Sequence, residues 1–172
     1  AHSDGELASA RACSGLGLTQ VLSSLSTVLV DEVSANSSQP LWFQLYVYRD
    51  MGVTEALIRQ AERSKCEALV VTVDAPILGI RERDMRNRFS LPEELQPANL
   101  SEIFNASIQA TGEESGLLQH FSDQINPSFT FKDLEVWHVY TTWTINIVCA
   151  IVIISLIAPA ILTIPASGIP IF

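Results

Sequence analysis

The chain has 172 residues, with ten lysines and arginines against 19 aspartates and glutamates, and a net charge of −9. This length is typical of one domain, and the acidic balance argues against nucleic-acid binding, which needs a stripe of positive side chains. Every Lys, Arg, Asp and Glu lies before residue 136. We therefore expect two regions, an acidic globular domain over 1–135 and an uncharged hydrophobic tail over 136–172.

The first 40 residues predict two short helical segments around one strand. Gly5–Gly15 is rich in alanine and follows Asp4, so we expect a helix with Asp4 as N-cap and Gly15 just past its end. A short strand ending in hydroxyl side chains is expected over Thr19–Ser24, and a helical turn over Val28–Ala35.

The next three segments carry stronger patterns. Leu41–Tyr48 is aromatic and β-branched, which predicts a strand. Met51–Lys65 has apolar residues at helical spacing. Glu67–Asp74 is a nearly unbroken apolar run, typical of a strand buried on both faces of a parallel sheet. The alternation predicts an α/β fold built from βαβ units.

Residues 75–128 lack a strong period and contain four prolines, so we interpret them as a long loop, either a functional lid or a disordered segment. Another helix is expected over Ser128–Glu135, with Thr130 as a possible cap. Trp143–Ile164 is a 22-residue stretch without charge, long enough as a helix to span roughly 30 Å of membrane. The alternative is that this segment has no evolved role.

Polar side chains occur near the carboxyl ends of the two strongest strands. Because side chains alternate along a strand, Gln44 and Tyr46 share a face, as do Thr72 and Asp74. If the strands are parallel neighbours in a barrel, these four side chains cluster where barrel enzymes place their sites. The alternative is that Gln44 and Thr72 satisfy each other's hydrogen bonds and Tyr46 belongs to the core.

A charged run follows the last of these strands. Arg81 within it could bind a carboxylate through two parallel hydrogen bonds, or the run could be an ordinary solvated surface. The three cysteines and three histidines have no metal-ligand spacing, so no metal site is predicted. Asn36, Asn99 and Asn105 begin Asn-X-Ser sequons, which we interpret as chance matches.

Several segments match a known pattern in order and spacing. They are Ala1-His-Ser-Asp-Gly-Glu6, Leu22-Ser-Ser24, Phe43-Gln-Leu-Tyr-Val-Tyr48, Thr72-Val-Asp-Ala-Pro-Ile-Leu-Gly79, Arg81-Glu82 and Asn87-Arg-Phe89. Over about residues 1–92 the chain thereby resembles the FMN-dependent 2-hydroxy-acid oxidase and dehydrogenase family, which includes glycolate oxidase. A weaker likeness continues to Pro127-Ser-Phe-Thr-Phe-Lys-Asp133.

The resemblance implies part of a TIM (β/α)8 barrel, about strands 2 to 4 with their helices, followed by the hydrophobic tail as a C-terminal helix. It implies FMN as the cofactor, with Ser23, Gln44 and Thr72 contacting the flavin ring. The reaction implied is oxidation of an (S)-2-hydroxy acid to a 2-oxo acid, with hydride passing to the flavin and then to oxygen.

The resemblance also implies roles for the remaining polar residues. Tyr46 and Arg81 would bind the substrate around its carboxylate and hydroxyl, and Asp74 would orient the base that removes the hydroxyl proton. Tyr46 and Asp74 are therefore the candidate catalytic residues, and the substrate would be a small 2-hydroxy acid.

The chain also departs from the family pattern. A whole barrel takes roughly 250 residues, and the segment Ser-Asn-His-Gly-x-Arg-Gln, which carries the family's base and a second arginine, does not occur. We therefore expect an internal fragment joined to an unrelated tail, inactive by itself and binding FMN weakly or not at all. The alternative is a non-catalytic, membrane-associated half-barrel.

Many members of the family are peroxisomal. The chain ends Ile169-Pro-Ile-Phe172 rather than in a Ser-Lys-Leu-type signal. Import by that route is therefore not expected, and membrane association through the tail remains open.

Overall fold

The computed structural model describes residues 2–73, 79, 81–103, 116–130, 132–133 and 146–150. The α-helices of these residues are α1 (Gly5–Leu16), α2 (Val30–Ala35), α3 (Met51–Arg63), α4 (Glu82–Arg86), α5 (Ala98–Ile103) and α6 (Gly116–Gln124). The strands are β1 (Gln20–Ser23), β2 (Leu41–Leu45), β3 (Ala68–Thr72) and β4 (Asn146–Ala150).

The four strands form one parallel sheet in the order β1-β2-β3-β4. In its register Ser23 lies beside Gln44, and Gln44 lies beside Val70. The prediction of three parallel strands within the first 74 residues is confirmed. Because all neighbouring strands are parallel, their carboxyl ends lie at one edge of the sheet.

The core lies between the sheet and its helices. Leu22, Phe43, Leu45, Leu69 and Val71 point to this side and are at most 1% exposed. Burying each such side chain contributes about 2 kcal/mol. The opposite face of β2 is half-buried, as its alternating burial shows. The strand alternation predicted from the sequence is therefore present, and the polar residues lie on the more open face.

Helix α3 begins and ends close to its predicted bounds. The Asp50 carboxylate caps its first turn by accepting a hydrogen bond of 2.8 Å from the Gly52 N–H. Val53, Leu57 and Ala61, at helical spacing, are buried against the sheet. The apolar stripe thus positions the helix, as its periodicity predicted.

Helix α1 ends two residues later than predicted. Gly15 lies inside the helix, and Gly17 is the residue that adopts the left-handed conformation at its end, with φ 67°. Either glycine can adopt the left-handed conformation that ends a helix, and the sequence pattern does not show which one does so.

The segment predicted as a long loop, 75–128, contains regular structure in its described part. It includes α4, a 3-10 turn over Glu93–Leu95, α5 and α6. The longest of these four segments has nine residues, so none is long enough to establish a clear helical period in the sequence. The described stretches of this segment therefore include short helices that the sequence did not indicate, and its interpretation as a functional lid stays a prediction.

The tail prediction is wrong where the structure describes it. Residues 146–150, expected within a transmembrane helix over 143–164, form β4 and pair in parallel with β3. A short uncharged run is equally compatible with a buried strand, and periodicity alone does not separate the two. The rest of the predicted tail helix lies outside the described residues. Within the described part of the chain, no helix is both long and apolar enough to cross a membrane.

Candidate active site at the carboxyl ends of the strands

Three polar side chains form a hydrogen-bonded row across neighbouring strands. The Ser23 hydroxyl donates to Gln44 Oε1 over 3.2 Å, and Gln44 Nε2 donates to Thr72 Oγ1 over 2.9 Å. All three are half-buried and lie at the carboxyl ends of β1, β2 and β3. We call Ser23, Gln44 and Thr72 the polar row. The predicted mutual hydrogen bond of Gln44 and Thr72 is thus present.

The hydrogen bonds of the polar row have a fixed direction. The Leu25 N–H donates to Ser23 Oγ over 3.1 Å, so the single hydroxyl proton of Ser23 is directed to Gln44 Oε1. The amide group of Gln44 then points toward Thr72, whose oxygen accepts from it. Thr72 keeps its own hydroxyl proton for donation, and Gln44 keeps a second N–H. The row therefore offers donors to a partner on the open face of the sheet.

Tyr46 lies beyond the polar row on the chain that follows β2. Its half-buried ring meets Phe121 of α6 edge to face, with ring centroids 4.9 Å apart. The backbone of the same segment is joined to α6, since the Arg49 N–H donates to Gln124 O over 2.8 Å. Helix α6 therefore positions Tyr46, and no sequence pattern indicated this contact.

A second aromatic contact ties α6 to the same segment. The Tyr48 hydroxyl and His120 Nε2 are 3.4 Å apart, and both side chains are buried. Burial raises the pKa of Tyr48, with a smaller contribution from Tyr46. Burial also lowers the pKa of His120, against an opposing effect of the Asp123 charge. The pair is therefore neutral at pH 7, as the apolar surroundings require.

The structure does not bring Arg81 to the polar row. Arg81 is exposed, and within the described residues its guanidinium pairs with Asp84 of α4 at 3.9 Å. Asp84 is half-buried, and this pair at the protein surface contributes little stability. Asp74, the other predicted residue of this edge, lies outside the described residues.

A narrow crevice borders the polar row at Thr72. It has room for about one water molecule, 30 Å³, and is lined by Val47, Thr72, Val73, Ile125, Asn126, Pro127 and Phe129. That volume is too small for a hydroxy acid.

Sequence reasoning missed Asn99, which is completely buried in α5. Its Oδ1 accepts from the Val30 N–H and its Nδ2 donates to Ser26 Oγ, both over 2.9 Å. Asn99 thereby joins α5 to the connection between β1 and α2. The sequence suggested only a glycosylation sequon at this position, and the burial of the side chain is inconsistent with modification in the folded chain.

Comparison with known proteins identifies relatives of this chain. Residues 1–153 match the family model described as FMN-dependent dehydrogenase, so the match extends into β4, past the boundary predicted at residue 136. The chain is 48% identical over 139 residues to L-lactate oxidase of Nostoc sp., covering 78% of this chain and 38% of that protein. It is 43% identical over 138 residues to 2-hydroxyacid oxidase 1 of Homo sapiens, covering 78% and 37%.

Solved structures give the same result. Mandelate oxidase with (S)-4-hydroxymandelic acid matches with a TM-score of 0.74 and 37% identity, over 85% of this chain and 40% of that one. A mandelate oxidase mutant with the C4a-OH-FMN adduct matches with a TM-score of 0.62 and 34% identity, over 85% and 37%. The chain thus spans at most about two fifths of the length of these relatives.

Proposed function

Because the chain belongs to the FMN-dependent dehydrogenases, within the 2-hydroxyacid oxidase group, we propose that it forms the flavin-facing part of an enzyme that oxidises (S)-2-hydroxy acids to 2-oxo acids. The observation that carries this proposal is the polar row, three linked side chains at the edge where barrel enzymes place their sites.

The donors of the polar row fit the chemistry of FMN. The pyrimidine edge of a flavin carries two carbonyl oxygens and the ring nitrogen N1, which accept hydrogen bonds, and an N3–H, which donates one. Gln44 and Thr72 each keep a proton for donation, and Ser23 fixes the direction of both. We therefore assign Ser23, Gln44 and Thr72 to hold the flavin ring. Bound FMN would supply the redox chemistry, accepting a hydride and passing the electrons to oxygen.

The substrate would lie next to the flavin, beside Tyr46. The Tyr46 hydroxyl can hydrogen-bond to the carboxylate or hydroxyl of a 2-hydroxy acid, while Phe121 holds its ring in place. Arg81 is assigned to the substrate carboxylate, which requires it to exchange its weak pair with Asp84 for a bidentate one. A pair at the protein surface is easily exchanged in this way.

The role proposed for Asp74 is to orient the base that removes the hydroxyl proton. Such a base has to lie within hydrogen-bond reach of that proton, and the histidine-bearing motif of the family does not occur in this sequence. We therefore propose that this chain binds flavin and substrate groups but does not turn over a hydroxy acid by itself.

Nuclear magnetic resonance of the labelled chain tests the flavin assignment, because it detects weak binding. On titration with FMN we expect shifts of the Ser23 and Thr72 amides and of the Gln44 side chain. Three side chains on an open face support only weak affinity, about millimolar. Gln44→Leu should abolish these shifts, whereas Gln39→Leu, before the start of β2, should leave them unchanged. Shifts confined to other residues, or none at millimolar FMN, would contradict the assignment.

A further inference from the structure

The connection between β1 and α2, residues 24–29, is held from one side by helix α1. The Glu6 carboxylate accepts hydrogen bonds from both the Thr27 N–H, over 3.1 Å, and the Thr27 hydroxyl, over 2.8 Å. Glu6 and Thr27 are both half-buried. Hydrogen bonds to a carboxylate are about twice as strong as neutral ones, and two on one residue fix its orientation.

Gly5, the first residue of α1, lies against the same connection, and its backbone conformation rather than a lack of space favours glycine there. Its φ is +50°, in the left-handed region, and a Cβ at this position would lie 3.4 Å from Thr27 Oγ1 and 3.6 Å from Val28 Cγ2. The backbone of α1 therefore lies directly against the connection. Gly5 and the Glu6 carboxylate that binds Thr27 therefore join the N-terminus of α1 to residues 24–29.

The same connection is held from the other side by α5. Asn99 contacts Ser26 and the first N–H of α2, and the Ala98 N–H donates to Ser26 O over 2.9 Å. Residues 26 and 27 are consequently fixed by two elements that are distant in sequence. Ser24 and Leu25 link these residues to the sheet: the Ser24 N–H donates to Gln44 O over 2.9 Å, and Leu25, which packs against the core, donates its N–H to Ser23 Oγ.

We propose that Glu6 is a positioning residue for the polar row. By holding Thr27, Glu6 fixes the backbone at Leu25, and the Leu25 N–H directs the Ser23 proton to Gln44 and so the Gln44 amide to Thr72. Glu6 is not itself part of the row. The inference rests on the proposed function only for the identity of the ligand, because the side chains of the polar row are oriented in the absence of one.

The test measures the Gln44 side-chain amide in the labelled chain without flavin. We expect its exchange with solvent to rise about tenfold in Glu6→Gln and in Thr27→Val, each of which removes a hydrogen bond to a charged group. Thr27→Ser keeps the hydroxyl, so the exchange rate of the Gln44 amide should stay within about twofold of that in the original chain. The exposed control Glu94→Gln should stay within the same range.

A merely structural role would give a different pattern. General loss of stability would raise exchange of the Leu57 backbone amide, in the core of α3, by the same factor as that of Gln44. Positioning should leave Leu57 unchanged. If Glu6→Gln does not fold, the pair Thr27→Ser and Thr27→Val decides, because both keep Glu6. Equal exchange at Gln44 in the serine and valine variants would overturn the proposal.

Adding FMN separates the two proposals. If Gln44 responds to Glu6→Gln but FMN shifts none of the row residues, the positioning role is supported and the flavin assignment fails. If FMN shifts the row but its binding and the Gln44 exchange are the same in Glu6→Gln, the flavin assignment is supported and the positioning role fails.

Discussion

Replacing Asn99 by leucine should destabilise the chain by about 3 kcal/mol. Leucine has nearly the same size, so the loss arises from hydrogen bonds rather than from a cavity. The Val30 N–H would be left buried without its partner, which costs about 1–3 kcal/mol. The Ser26 hydroxyl keeps its hydrogen bond to Val28 O, so losing the hydrogen bond from Asn99 Nδ2 costs about 1 kcal/mol. This sum is a large part of the stability of a small domain.

Urea unfolding followed by tryptophan fluorescence measures this loss as a shift of the midpoint at constant slope. The matched control is Asn36→Leu, because Asn36 is exposed and, among the described residues, its side chain donates to the Glu32 carbonyl of α2. We expect the control to change stability by no more than about 0.5 kcal/mol. An equally small change for Asn99→Leu would refute the reasoning that α5 holds α2 through this buried amide.

Two further predictions concern stability. Burial lowers the pKa of His120 from its usual 6.5, so the unfolded chain binds a proton more readily than the folded one. The free energy of unfolding should therefore fall as the pH drops below about 6.5. In urea unfolding, His120→Gln should lose this pH dependence, whereas the exposed control His2→Gln should keep it. Gly5→Ala should destabilise by about 1 kcal/mol because of its positive φ, whereas Gly15→Ala, inside α1 with open space around it, should stabilise by about 0.5 kcal/mol. Retention of the pH dependence in His120→Gln, or an equal effect of both alanines on the thermal midpoint, would contradict these expectations.

The sheet could be predicted from the sequence because its signals are local. The alternation in Leu41–Leu45 and the unbroken apolar run of Ala68–Thr72 each specify a strand, and one helical stripe between them specifies a parallel pair. The pairing of Gln44 with Thr72 followed from the same alternation, since both lie on one face of neighbouring strands near their carboxyl ends, with Thr72 two residues beyond Val70, the register partner of Gln44; Ser23 was indicated only by the family resemblance. Their hydrogen bond confirms the part of the alternative interpretation that concerns Gln44 and Thr72, and it does not exclude a ligand.

The contacts that sequence reasoning missed are not local. Asn99 lies in a six-residue helix too short to show a period, and its partner Val30 is 69 residues away. Phe121 and Tyr46 likewise meet only through the folded chain. The strand at Asn146–Ala150 was missed for another reason: a long apolar run surrounds it, and hydrophobicity without a period is compatible with helix or strand.

The long separation of these contacts has a consequence for folding during synthesis. Ser26 and Val30 can contact Asn99, and Tyr48 can contact His120, only after a further 69 to 73 residues have been synthesised. At about 5–20 residues per second, the ribosome adds that length in about 4–14 s. β1, β2 and β3 are synthesised before then, whereas the segments that follow β1 and β2 gain these contacts later. The nascent chain would therefore pass through a state in which three strands are available to pair seconds before the residues around Ser23 and Tyr46 are held in place.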